Sequence, residues 1–90
     1  MNKIDELNER IKDLNKSCEM IVEELIPLAQ DAKRLDLYID GDYKVHGDAD
    51  KLEDNAMLVK RIEYAGARLL EYKKELKEAE AERDKLPDEK

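Results

Sequence analysis

The chain has 90 residues, a formal net charge of −7, and charged side chains at 46% of its positions. That length allows one small domain with little room for a large core. The acidic balance argues against a nucleic-acid backbone or an anionic membrane as partner, because both attract an excess of Lys and Arg.

The first ten residues, MNKIDELNER, hold no apolar h-region, and nowhere does the chain approach the ~18–20 consecutive apolar residues of a membrane span. Cys18 is the single cysteine, so no internal disulfide can form, whereas small secreted domains usually depend on several. A soluble cytoplasmic protein is expected. Phe, Trp and Thr are absent, and the remaining apolar set of Leu, Ile, Val, Ala, Met and Tyr is the mix of long amphipathic helices with solvated outer faces.

From Ile4 the apolar positions step alternately by three and four through Leu7, Ile11, Leu14, Cys18, Ile21, Leu25, Leu28, Ala32 and Leu35. A sustained repeat of about 3.5 residues marks a coiled-coil seam rather than an ordinary surface helix. Asn2 can cap its start, with Asp5 at the third helical position near the positive end of the dipole. A helix over residues 3–34 follows. Pro27 falls at an outward position of the repeat, so a bend near residues 23–27 is expected rather than two helices.

Residues 37–45 read LYIDGDYKV, and Asp-Gly flanked by alternating apolar residues signals a β-hairpin, expected over 35–46. A two-residue Asp40-Gly41 turn would pair Tyr38 with Tyr43 and put Leu37 and Ile39 on the other face. A three-residue loop would set Ile39 opposite Tyr43 and Leu37 opposite Val45, collecting the apolar residues on one side. The first has the better turn chemistry and the second the better burial. Residues 35–50 also hold five aspartates against Lys44 alone, a formal −4 of the chain's −7.

Beyond the ribbon, Asp50 and Glu53 have the spacing of a capping box, with Asp48 as a rival cap. A second helix over 50–86 carries the repeat Leu58, Ile62, Ala65, Leu69, Tyr72, Leu76, Ala79, Arg83 and Leu86, and Pro87 stops it. Two heptad helices of similar length joined by a short connection fold back on each other. Pairing positions whose numbers sum to about 87 sets Leu25 near Ile62, Leu14 near Tyr72 and Ile11 near Leu76, with bulky residues meeting small ones in several layers. The expected fold is therefore mainly all-α: a single domain over 1–90, an antiparallel two-helix coiled-coil hairpin with a short β-hairpin at its tip.

A lone helix pair buries each helix on one side only, and apolar residues spill beyond the seam. Met20, Val22, Ile26, Ala29, Val59 and Leu70, accompanied by Met57, Gly66 and Ala67, form a second partial stripe. Such a stripe seeks a partner, and a homodimer in a four-helix arrangement is expected, with those first six residues at the interface.

Catalytic or metal chemistry finds little support. Asp36, Asp40 and Gly41 match positions 1, 5 and 6 of a calcium loop, but Tyr38 and Gly47 stand where two further ligands belong. His46 is the only histidine and is far from Cys18 in this layout, while zinc needs three or four converging ligands. Helical chorismate mutases begin with similarly patterned helices, but their chemistry needs several inward cations and only Arg83 lies on a seam here. No enzyme activity, cofactor or metal is expected.

The helix, ribbon, helix layout is similar to a reduced prefoldin β-subunit, and the resemblance implies a binding or assembly role, with a prefoldin-like holdase as one form of it. The leading expectation is a non-enzymatic interaction protein that pairs with itself and with a protein of basic surface through Asp36, Tyr38, Asp40, Asp42, Tyr43 and His46, since exposed Tyr among charges suits interfaces. The alternative is a small acidic inhibitor, of the kind phages and mobile elements encode, that mimics nucleic acid and blocks a basic groove.

Overall fold

In the computed structural model, residues 2–86 are described; Pro87, the expected stop of the second helix, lies outside them. Asn2 opens the first helix, its side-chain oxygen accepting the Asp5 backbone N–H at 2.8 Å. Helix α1 (Lys3–Arg34) then continues through Pro27 as one element. Asp5 and Glu6 sit in its first turn and Lys33 and Arg34 in its last, each complementing the helix dipole.

The end of α1 is a Schellman motif. The Leu37 N–H donates to the Ala32 carbonyl at 2.9 Å and the Asp36 N–H to the Lys33 carbonyl at 3.1 Å, which satisfies two carbonyls the helix leaves free. Asp36 takes the left-handed position, with φ of 58°, where glycine is usual. Leu37 and Ala32 are both buried beneath this turn.

The chain next makes a ribbon of β1 (Tyr38–Ile39) and β2 (Val45–His46), paired antiparallel with Tyr38 opposite His46 and Ile39 opposite Val45. Neither expected register is the one formed. The Asp40 carbonyl accepts the Tyr43 N–H at 3.0 Å, and the Asp40 N–H donates to the Lys44 carbonyl at 2.9 Å. No glycine has positive φ, while Tyr43 has φ of 62°. A type I turn followed by one left-handed residue is the usual three-residue loop, here residues 41–43, so Asp40-Gly41 is not a two-residue hairpin turn. Leu37, Ile39 and Val45 share the inner face, as the expected three-residue loop also required.

After the ribbon come α2 (Ala49–Asp54) and α3 (Ala56–Lys85). The single helix expected over 50–86 is divided at Asn55, whose φ of −117° and ψ of 32° leave the helical range, while its side-chain amide donates to the Lys51 carbonyl at 2.9 Å. Local competition of an Asn side chain for a helix carbonyl is the physical reason. Asp48 occupies the N-cap position without a side-chain cap bond, which places Asp50 inside the first turn and sets aside the Asp50–Glu53 capping box.

The helices pack antiparallel into a rod of 61 × 18 × 15 Å. Every seam position named in either heptad repeat is buried or half-buried. Ile11, Leu14 and Ala79 form one core with Tyr72 and Leu76 in the half of the rod remote from the ribbon. The larger core gathers Ile21, Leu25, Ala32, Ile62, Ala65 and Leu69 with Leu37 and Val45 of the ribbon. Ile62 and Leu69 are its most deeply buried large side chains, each worth roughly 1.5–3 kcal/mol of transfer free energy.

The ribbon joins the two helices, and its apolar face is closed against them. It lies back along one flank: the Val45 N–H, which points out of the strand ladder, donates to Glu63 Oε2 at 3.0 Å, and Tyr43 sits over Gly66. A Cβ built on Gly66 would stand 2.1 Å from Tyr43 Cβ and 2.4 Å from its Cγ. Glycine in a helix interior costs about 1 kcal/mol relative to alanine; here it admits the ribbon.

Gly66→Ala, which favours most helices, is expected to destabilise this one by about 1–3 kcal/mol through overpacking. In a Tyr43→Gly background the same change should turn neutral or stabilising; urea unfolding of the four chains followed by circular dichroism checks the reversal. Asp36→Gly should raise stability by up to about 1 kcal/mol by relieving the left-handed conformation, read as a higher urea midpoint at unchanged slope.

Candidate functional site

The strand alternation sorts the ribbon into two faces. Leu37 and Val45 are buried, and Ile39 and Tyr43 half-buried, against the helices. Tyr38 and His46 lie on the outer face as a cross-strand pair, their ring centroids 6.0 Å apart. His46 Nε2 is 2.8 Å from Asp40 Oδ2. The other Asp40 oxygen, Oδ1, accepts the backbone N–H groups of Asp42 and Lys44, both at 2.9 Å.

Of the six residues expected to bind a partner, the structure thus brings Tyr38, Asp40, Asp42 and His46 together on the outer edge of the ribbon. Asp36 stands apart at the end of α1, 3.4 Å from Lys51 Nζ. Tyr43 is turned inward onto Gly66. Asp40 is a turn-former as much as a surface charge: its carboxyl is held below the ordinary 3.8, first by the His46 hydrogen bond and then by the Lys44 N–H, with the Asp42 N–H adding to both. Among the described residues, no three His, Cys, Asp or Glu side chains converge as metal ligands would.

The helix pair has two flanks, and helical spacing assigns each residue to one. Glu63 and Gly66 carry the ribbon, and Leu70 follows one turn beyond Gly66 on the same row of α3. A groove lined by Asn8, Lys12, Asn15, Lys16, Glu19 and Arg83 occupies this flank farther along, where Arg83 reaches across the seam to Asn8 Oδ1 at 3.3 Å. Continuing the α1 row by steps of three and four leads to Val22, Ile26 and Ala29.

The opposite flank shows Glu6, Glu9, Arg10, Asp13 and Ser17 of α1 beside Tyr72 and Glu75 of α3. Its rows continue to Met20 on α1 and to Arg68, then Tyr64, on α3. Two ion pairs cross the seam here, Arg10–Glu75 at 3.4 Å and Lys3–Glu82 at 3.6 Å; both are exposed and contribute little to stability.

The six residues expected at an oligomer interface are divided accordingly. Val22, Ile26, Ala29 and Leu70 are exposed on the ribbon's flank and Met20 on the other. Val59 is half-buried against the larger core, and Gly66, its companion in the stripe, is buried beneath Tyr43.

One cluster escapes a reading centred on the ribbon. The Arg68 guanidinium lies 5.7 Å from the Tyr64 ring centroid, and its pKa is raised, chiefly through the Tyr72 side chain. The signal was present as Tyr64, Arg68 and Tyr72 at successive four-residue steps, which places them on one helix face. In the sequence Arg68 stands among interleaved glutamates and lysines, the pattern of a solvated face.

No protein-family model matches the chain, and no curated protein or solved structure does so either. No helix among the described residues is long and apolar enough to cross a membrane.

A carboxylate whose pKa is depressed by folding adds stability above its unfolded value and loses it as pH falls through the folded value. Order in the 40–44 loop is therefore expected to hold at neutral pH and to decline below about pH 4, the range set by a pKa lowered from 3.8. Amide exchange and chemical shift of Lys44 across acid pH check this; Asp40→Ala should remove the Asp40-linked step and speed Lys44 exchange at every pH.

Proposed function

We propose that the protein is a non-enzymatic interaction protein, one that assembles with itself along its helix flanks and presents the acidic outer edge of the ribbon to a protein of basic surface. The observation that carries this reading is the exposure of large apolar side chains on a rod two helices thick: Met20 is 62%, Ile26 51%, Met57 70% and Tyr64 67% exposed. Tyr38, at 66%, adds an aromatic beside His46, Asp40 and Asp42 on the ribbon edge. Aromatic residues and Met are enriched where proteins meet.

Self-association is the primary part of the proposal, in the form of a dimer that brings four long helices together. Such pairing would cover the long faces that the ribbon leaves open and would thicken the thinner core around Ile11 and Leu14. The ribbon edge would remain outward, free to meet a second protein whose Lys and Arg complement Asp42.

Sedimentation equilibrium at micromolar concentration tests this. The expected result is a mass at or above that of a dimer, with association weakened at least ten-fold by Val22→Gln combined with Ile26→Gln. A stably folded monomer of 10.5 kDa at these concentrations would remove the proposal.

A further inference from the structure

Two grooves, one on each flank, are opposite in charge. The first, about 560 Å³, has Leu14 and Tyr72 in its wall and four carboxylates, those of Glu6, Glu9, Asp13 and Glu75. Its one cation, Arg10, is already paired with Glu75 at 3.4 Å. Glu6, Glu9 and Asp13 have no ion-pair partner among the described residues. The second groove, about 460 Å³, has Ile11 in its wall and Lys12, Lys16 and Arg83 against the single carboxylate of Glu19, with Arg83 itself paired with Asp84 at 3.7 Å.

Both grooves lie in the half of the rod remote from the ribbon, and their α1 residues overlap in level. Glu6, Glu9 and Asp13 occupy one side of the same turns whose other side carries Lys12 and Lys16. Two rods laid side by side and pointing the same way therefore bring the carboxylates of one to the lysines of the other with a shift of about one helical turn, ~5 Å. Exposed apolar residues continue each row toward the ribbon: Met20 on the acidic flank, Val22 and Ile26 on the basic one.

We propose that copies of this chain associate flank to flank, the acidic groove of one receiving the basic flank of the next. The occupant of each groove is a second copy because the complementary surface is present on the chain itself. A two-fold dimer of rods pointing the same way, built on either flank, would set like charges against like, which costs free energy at contact. A heterologous contact sets Glu6, Glu9 and Asp13 against Lys12 and Lys16, and it leaves one acidic and one basic flank open at the ends of every assembly. Growth beyond the dimer follows unless the rotation between copies closes a ring. This arrangement rests on the self-association reading above and specifies its geometry.

Charge exchange between two variants tests it. The triple change Glu6→Lys, Glu9→Lys, Asp13→Lys makes both flanks basic; the double change Lys12→Glu, Lys16→Glu makes both acidic. Sedimentation velocity is expected to show each variant alone at least ten-fold weaker in association than the parent chain, and an equimolar mixture restored to the parent's strength. A control triple, Glu23→Lys, Glu53→Lys, Asp54→Lys, carries the same net charge away from the groove and should not substitute for the first variant in the mixture. Circular dichroism establishes that each chain keeps its helices, and the milder Gln set at residues 6, 9 and 13 serves where the Lys set does not fold. A parent chain that associates while the variants alone associate equally well, or a mixture that restores nothing, overturns the flank-to-flank arrangement and leaves self-association standing. A monomeric parent chain overturns both.

Discussion

The absence of a side chain at Gly66 lets the body of Tyr43 occupy space that any other residue would fill, and the path of the ribbon depends on that approach. Tyr43 adopts a left-handed backbone that bulky residues rarely take. Its packing over α3 is what offsets the strain. The two exceptions support each other: a glycine where a helix would prefer alanine, and a tyrosine where a turn would prefer glycine. Between them they lay the ribbon along the rod rather than beyond its end.

With the ribbon in place, the core becomes uneven along the molecule. Around Ile62, Ala65 and Leu69 three layers meet, and these residues are at most 1% exposed. Around Ile11, Leu14 and Ala79 two helices meet alone, and these three form the buried core there, against eight residues in the larger one. Local opening follows the number of buried apolar contacts, so the half of the rod remote from the ribbon is the more yielding half. It is also where the two grooves of opposite charge are found. The parts of the chain that finish their own packing are therefore separate from the parts that leave surface for another molecule.

The aspartates between the helices divide in the same way. Asp40 spends both oxygens inside the ribbon, on His46 and on two backbone N–H groups, and Asp36 combines a strained helix end with a contact to Lys51. Asp42 projects from the loop with only its backbone N–H engaged. A formal −4 concentrated in sixteen residues thus looks uniform in a charge count, but much of it is shaping the turn. What is left for recognition is an edge of Tyr38, His46 and Asp42 rather than a field of free carboxylates.

Periodicity is a local property, and the features it governs were legible residue by residue: the seam from Ile4 to Leu35, the seam from Leu58 to Leu86, the Asn2 cap and the antiparallel return. The sorting of Leu37, Ile39 and Val45 to one face was legible for the same reason, since alternation needs no partner to be known. The ribbon's register was not. The expected three-residue loop and the one formed differ by a slip of two residues, which leaves every side chain on its face, so the pattern cannot distinguish them. Contacts between distant parts of the chain decided it: Val45 on Glu63 and Tyr43 on Gly66. The inward turn of Tyr43 belongs to the same class, whereas the break at Asn55 is a local competition that the apolar repeat does not register. By itself the sequence determined two helices, their common seam and a ribbon with one apolar face; only the tertiary structure decided which flank that face would close, because burial is fixed by which distant surfaces come together.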